Sequence, residues 1–431
     1  MGERFRIGRL AAACAIAALA GAAAARAEGG AFSIAVVPDT QNMIDYKHQY
    51  SEGFPFEASE LFLGEMKWIA EHAAGKGGDI AFVAAVGDVW QHQSSAIDSQ
   101  HAMRGFHEIE NPWFATELEV TPKTRAVEMP MALQGYAVIA KAGLPFGVVP
   151  GNHDYDAMWS DSRYPPVSDA KKIDMTPQTL GMLHVGGLDN FRSVFNPKRY
   201  AGKSWYVASY TSGTSSAQTF SAGGYDFLHL ALEMSPSDAV LKWAASVIAK
   251  YPGRPTIVTT HDYLNAKGER RANPIIDLAA IDPVHNSAED LWNEFISRND
   301  QIFLVLCGHH HGVATRTDKN AKGHEVLQLL ADYQDRGQAS LDAGVALVRG
   351  QPVPIGDGWL RLLSFDTAPA TPTLRVRTYS PHYKAWADEL PSYAQWYKAH
   401  EAPALDDASF VKKDAFSVPL SDFRARFGAP R

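Results

Sequence analysis

Five short polar clusters, each directly behind an apolar run, carry the residue types of metal and proton chemistry in this 431-residue chain. The run Phe32-Ser33-Ile34-Ala35-Val36-Val37-Pro38 leads into Asp39-Thr40-Gln41, and residues 80–86 lead into Gly87-Asp88. Pro145-Phe146-Gly147-Val148-Val149 leads into Pro150-Gly151-Asn152-His153-Asp154. Residues 255–260 end at His261-Asp262, and residues 302–307 end at Gly308-His309-His310-His311-Gly312. An Asn carbonyl oxygen can bind a divalent cation, a neighbouring His can trade a proton, and an Asp can hold that His in one tautomer. Taken alone, the 151–154 tetrad also fits an Asx-type turn at a strand end. Alternate side chains of an extended segment share a face, so His309 and His311 are expected to reach one site while His310 points away.

Together Asp39, Asp88, Asn152, His261, His309 and His311 are hard and borderline donors suited to Mn²⁺, Fe or Zn²⁺. A bridging carboxylate with imidazoles on either side is what a two-metal site needs. Two cations ~3.5–4 Å apart can clamp a phosphoryl group and turn a bridging water into hydroxide at neutral pH.

The elements that must position these groups alternate. Phe62, Met66, Ile69 and Ala73 make one helical stripe, and Leu241, Ala244 and Ile248 another. The second is expected to start with Ser235 as N-cap and Pro236 in the first position, and to stop at Tyr251-Pro252-Gly253. Helices alternating with fully apolar strands imply an α/β layer fold, in which polar groups at strand C-terminal ends converge on one crevice. Later runs, at 206–209, 227–232, 326–330, 360–365 and 374–378, alternate more and suggest a second, antiparallel sheet with helices outside both sheets. Residues 89–130 and 155–203 read as long loops of the lid or binding-wall kind. The tail from residue 389 shows no strong period.

Composition bounds the class. With 46% hydrophobic and 20% charged residues the chain is globular, and its length suits one large domain or two ordinary ones. Arg4, Arg6 and Arg9 precede an Ala-rich apolar run at residues 10–25, and Ala25-Arg26-Ala27 fits a small-x-small cleavage site. Residues 1–27 therefore read as a secretory signal peptide, with a periplasmic or extracellular destination and no stable membrane span after cleavage. Their removal takes four basic residues and one acid, leaving the rest more acidic than the formal charge of −8. Such a field does not steer the protein toward nucleic acid. Of the two cysteines only Cys307 lies beyond that segment, inside an apolar run, so it reads as a buried small hydrophobe and no internal disulfide is available.

In their order and spacing, Asp39-Thr40-Gln41, Gly87-Asp88, Gly151-Asn152-His153-Asp154, His261 and Gly308-His309-His310-His311 resemble the calcineurin-like metallophosphoesterases over about residues 32 to 380. The resemblance implies a four-layer α-β-β-α sandwich of two mixed sheets, with a dinuclear metal site at strand C-terminal ends. It assigns residues 28–388 to that domain and 389–431 to a C-terminal extension. One divalent ion (Mn, Fe or Zn) would be held by Asp39, Asp88 and His311. The other would be held by Asp88, Asn152, His261 and His309, with Asp88 bridging. His153 would face the substrate, stabilising phosphoryl oxygens or protonating the leaving alkoxide, and Asp154 would orient its ring. Gln41 stands where most members have His, so it either binds the first metal through its amide oxygen or hydrogen-bonds a metal-bound water. Gln91 stands where purple acid phosphatases carry Tyr, which argues against their charge-transfer iron site.

Trp90, His92, Tyr155 and Tyr263 follow the expected ligands closely, and pocket lining or plain packing both fit them. Lys267, Arg270 and Arg271 could touch a phosphate or simply be solvated. The expected activity is hydrolysis of small-molecule phosphate mono- or diesters. The alternatives are an exported nuclease or nucleotide phosphodiesterase, and a non-catalytic metal- or phosphate-binding protein.

Overall fold

The computed structural model describes residues 30–116, 118–172 and 174–431. The expected signal peptide lies outside them. In chain order the strands are β1 (Ala31–Val37), β2 (Ile80–Ala85), β3 (Glu108–Ile109), β4 (Phe146–Val148), β5 (Ala157–Asp161) and β6 (Leu183–Gly186). There follow β7 (Tyr206–Tyr210), β8 (Ser215–Ala222), β9 (Tyr225–Ala231), β10 (Thr256–Thr259), β11 (Ile302–Cys307) and β12 (Gly312–Lys319). The last are β13 (Glu325–Asp332), β14 (Leu360–Asp366), β15 (Thr373–Ser380), β16 (Ala385–Trp386) and β17 (Phe416–Pro419).

Two large mixed sheets result. One runs β16-β15-β14-β1-β2-β4, with β17 also pairing β15; the other runs β12-β13-β11-β10-β9-β8-β7. Within the first, β1, β2 and β4 are parallel, and within the second β9, β10, β11 and β13 are parallel. Their ends carry the polar clusters. The antiparallel strands β14 and β15 extend the first sheet, while β12, β8 and β7 flank the second. Early and late runs therefore do not separate into two sheets, as their patterning suggested. Alternation reports which faces are buried, and it cannot say which neighbour a strand takes.

The pleat explains the core. Phe32, Ile34 and Val36 of β1 pack with Phe82 of β2 and with Phe227, Ile257, Phe303 and Leu304 of the other sheet. On the reverse face, Ala35, Val37 and Val83 meet Phe62, Met66 and Ile69 of the helix Ser59–Glu71, and Ile139 of the helix Met129–Lys141. Leu230, Val258 and Val305 likewise meet Val240, Leu241, Ala244 and Ile248 of the helix Asp238–Lys250. Successive side chains on a strand point to opposite faces, which is why both faces are apolar.

Three local expectations are corrected. The helix Asp238–Lys250 starts two residues late, with Ser237 as its N-cap, because Ser235 sits at φ 46° and its carbonyl accepts from His285 Nδ1 at 3.0 Å. Residues 89–130 and 155–203 are not open loops. They contribute β3, β5 and β6, a separate antiparallel sheet; β5 and β6 are buried at every position, so no alternation of apolar and polar residues marks them. The tail forms helices Tyr393–Glu401 and Asp407–Lys412, then β17 in the first sheet. Among the described residues no helix is long and apolar enough to cross a membrane.

Candidate metal centre

The polar clusters meet where the parallel strands of both sheets end. Asp39 Oδ2 accepts from the backbone N–H of His309 at 2.7 Å, and His261 Nδ1 donates to the carbonyl of Val86 at 2.8 Å. These two bonds tie one sheet's strand ends to the other's. The approach requires glycine. A Cβ on Gly308 would lie 2.2 Å from Asp39 Oδ1, and one on Gly87 (φ +108°) would lie 2.6 Å from His261 Nδ1. Asp88 (φ 48°) and His309 (φ 71°) hold left-handed backbone conformations that are uncommon for residues with side chains. Strain of this kind persists where the surroundings over-determine a site.

Around Asp88 the donor set is tight. His261 Nε2 lies 3.1 Å from Asn152 Oδ1 and 3.3 Å from Asp88 Oδ2, and Gln41 Nε2 also reaches Asp88 Oδ2 at 3.3 Å. One donor atom each from Asp88, His261 and His309 fall within 4.8 Å of one another. His309 stands edge-on to His261, with ring centroids 5.0 Å apart, and its buried Nε2 has no hydrogen-bond partner. Asp39 Oδ1, Gln41 Oε1 and Asp332 Oδ2 are likewise buried and unpartnered. Leaving such groups unpaired costs about 1–3 kcal/mol each, more for charged ones. Buried, unpaired oxygens and an imidazole nitrogen are the donor types that divalent cations take.

Electrostatics agree with that fit. Burial, then the charges of Asp332 and Asp88, push the Asp39 carboxyl well above the usual range. Burial acts on Asp88 in the same direction, but His261 and His153 outweigh it and hold Asp88 below the usual value. Burial opposes a charge on His261, yet the Asp88 carboxylate raises its pKa to about 9. A cation ligated at His261 would take the place of that proton.

The other expected residues are placed differently. Because His309 is not extended, it does not share a face with His311 as the alternation predicted. His309 turns inward, while His311 is half-exposed, with Nδ1 on Asp335 and Nε2 against the Gln334 amide. Gln334 also accepts from Gln41, so this side chain links Gln41 to His311. His153 donates its backbone N–H to Asp88 Oδ1 at 2.9 Å, and its Nδ1 donates to the carbonyl of Gln91 at 2.6 Å. That carbonyl, not Asp154, orients the ring. Asp154 instead accepts from the backbone N–H groups of Val89 (2.9 Å) and Gly151 (2.9 Å), pinning the two motif turns together. Burial, then the Asp88 charge, raises the Asp154 pKa to about 8.

Asp332, Gln334 and Asp335 escaped the sequence reading. The signal was present: Asp332 ends β13 as the other polar groups follow their strands, but it carries no Gly or His beside it. Trp90 packs in the helix-side core, and Tyr263 donates to Gln328 at 3.0 Å. His92 pairs with Glu128 at 2.7 Å, and Arg270 with Asp318 at 2.5 Å, so neither serves a pocket. Beside His311 and Asp332 opens a cavity of about 480 Å³, walled by Asp335, Trp396, His400 and Glu401.

No protein-family model matches the chain. Over 290 residues it is 27% identical to the uncharacterized protein YvnB of Bacillus subtilis (strain 168), covering 66% of this chain and 17% of that protein. The chain thus spans 17% of the length of the curated relative it matches. Among solved structures, a dimetal phosphatase from Danio rerio aligns over 81% of this chain and 96% of its own, at TM-score 0.37 and 11% identity. GAP50, the anchor in the inner membrane complex of Plasmodium, aligns over 82% and 86%, at TM-score 0.33 and 10% identity. Likenesses this distant carry no weight in assigning an activity.

Proposed function

We propose that this chain is an exported, metal-dependent phosphoesterase that hydrolyses small-molecule phosphate mono- or diesters with two divalent cations, Mn, Fe or Zn. Its sheets and helices would stack as a four-layer α-β-β-α sandwich. The observation that carries the reading is the convergence of Asp88, His261 and His309 donor atoms within 4.8 Å, with His309 Nε2 left without a partner.

One cation would be held by Asp88, Asn152, His261 and His309, and the other by Asp39, Asp88, His311 and the Gln41 amide oxygen. Bound cations supply Lewis acidity and lower the pKa of water. The chain's own residues do the rest. His153, with Nδ1–H committed to the Gln91 carbonyl, would act through Nε2, which when protonated donates to a phosphoryl oxygen or to the leaving alkoxide. Asp154 keeps the Val89 and Gly151 turns in register, so that Asp88 and Asn152 stay opposed. The cavity beside His311 has the size of a small-ligand site and would receive the alcohol portion.

Purified protein supplied with Mn²⁺ should hydrolyse nitrophenyl phosphate or bis(nitrophenyl) phosphate, and chelator should abolish turnover. His153→Ala should lower kcat by ~10²–10⁴-fold. Full turnover in both Asn152→Ala and His309→Ala would sink the assignment. Tight metal binding without hydrolysis of any ester would favour the binding-protein alternative, and a salt-dependent affinity for DNA the nuclease one.

A further inference from the structure

Away from that centre, His101, His184 and Asp282 bring one donor atom each to within 4.8 Å of one another. His101 lies on the short helix Ser99–Met103, His184 on β6, and Asp282 directly after the helix Leu278–Ile281. His101 Nε2 is 3.7 Å and His184 Nε2 3.9 Å from Asp282 Oδ2. All three atoms are buried without a hydrogen-bond partner.

The opposite ring nitrogens explain why. His101 Nδ1 donates to Asp98 Oδ2 at 2.6 Å, and His184 Nδ1 donates to the Val185 carbonyl at 2.8 Å. With both Nδ1 atoms holding the proton, both Nε2 lone pairs face a carboxylate oxygen, and three acceptors converge with no donor among them. Arg104 does not resolve this. Its Nη2 hydrogen-bonds Asp282 Oδ1 at 2.8 Å; it is 2.7 Å from Oδ2 but out of hydrogen-bonding alignment there. The arrangement is also built in advance. The carboxylate of Asp98 is fixed by the N–H groups of Gln100 and His101, and Gly186 makes room for it, since a Cβ there would lie 1.7 Å from Asp98 Oδ2. His184 is stacked on Trp159, with centroids 4.8 Å apart and planes 7° from parallel.

Imidazoles oriented through a carboxylate or a backbone carbonyl are the usual support of metal-binding histidines. Donor atoms around a tetrahedral Zn²⁺ at ~2.0–2.1 Å lie about 3.3 Å apart, so each imidazole needs to close on Asp282 Oδ2 by only roughly half an ångström, with all three atoms already within 4.8 Å of one another. We propose that His101 Nε2, His184 Nε2 and Asp282 Oδ2 bind a zinc-class divalent cation, separate from the candidate catalytic centre. Water takes the fourth position, and the ion staples the β3-β5-β6 sheet to the 277–285 segment. Another buried group, Asp45, His92 and Glu128, is no rival, because its His92–Glu128 pair at 2.7 Å is closed on itself.

Crystals of the native protein soaked in Zn²⁺ should give an anomalous peak at the zinc edge between the three donor atoms; no peak there overturns the proposal. In solution, His184→Phe keeps the stack on Trp159 and should carry one zinc per chain fewer than wild type, with phosphoester turnover unchanged. Asp282→Asn, which retains an oxygen for Arg104, should lose the same ion. Unchanged zinc content in a folded variant also overturns the site. Because metal is counted directly, this result stands apart from whether the chain hydrolyses any ester.

Discussion

Replacing Gly308 with Ala is the sharpest test of how the candidate metal centre is built. The added methyl would lie 2.2 Å from Asp39 Oδ1, 2.9 Å from Asp39 Oδ2 and 2.7 Å from Val86 Cγ2. Ordinary contacts begin near 3.4 Å, so the Asp39 carboxylate must retreat by about 1 Å. It cannot do so freely, because Oδ2 is bonded to the His309 N–H at 2.7 Å and the side chain is buried. Both metal positions are then disturbed, one through Asp39 and the other through His309. Misplacement of ~1 Å costs on the order of 10²-fold in rate, and overpacking of a tight site costs about 1–3 kcal/mol. Gly308→Ala should therefore lower kcat/KM at least ~100-fold, lower the bound metal, and destabilise by about 1–3 kcal/mol in urea unfolding. Gly64, on the helix Ser59–Glu71 with nothing within 4 Å of its added Cβ, is the control. Gly64→Ala should stabilise by ~0.8–1 kcal/mol and leave activity alone. Wild-type turnover and metal content in Gly308→Ala would refute the reasoning.

Asp414, fully buried, accepts from Arg361 at 2.8 Å and from the Tyr333 and Tyr393 hydroxyls at 2.9 and 2.8 Å. Asp414→Ala leaves a buried guanidinium unpaired and should cost ~3–5 kcal/mol in denaturant titration; a loss under about 1 kcal/mol would contradict this. His229, held between Gln218 (2.7 Å) and Thr259 (2.8 Å), has its pKa lowered by burial to about 3. Unfolded, it binds a proton near pH 6.5, so unfolding takes up a proton between those values and is favoured as pH falls. Stability should drop by up to ~1.4 kcal/mol per pH unit below 6.5, and His229→Gln should flatten that slope by one proton. Metal-depleted protein should gain thermal stability on adding Mn²⁺, by ~2.7 kcal/mol at one hundred times Kd, and Asp88→Ala should lose that gain.

The strand-end motifs were legible because each had two independent marks, a continuous apolar run and a polar group directly after it. β1, β2, β4, β10 and β11 all lie inside such runs, within a residue or two at their ends. Partners were not legible. That β1 sits between β2 and β14 depends on long-range register, which short apolar strands do not encode locally. The positive φ at His309 was equally hidden, since local sequence favours an extended His there, and only packing against Asp39 and Gly308 turns it. Asp332 had one mark and was missed; Asp154 had a motif and proved to hold backbone instead of a ring.

The position of β1 has a consequence for how the molecule comes into being. Ala31 pairs with Asp366 and Val36 with Arg361, so one edge of the earliest strand stays open until β14 exists. Every candidate metal donor from Asp39 to Asp332 is made before that strand. A chain emerging residue by residue therefore carries its full complement of ligands, on strands that all precede β14, while the outer edge of β1 is still bare. Such non-local pairing, between residues as far apart as Ala31 and Asp366, is slow. An edge left bare can pair with another strand, so the unfinished chain is exposed to edge-to-edge association until β14 covers β1.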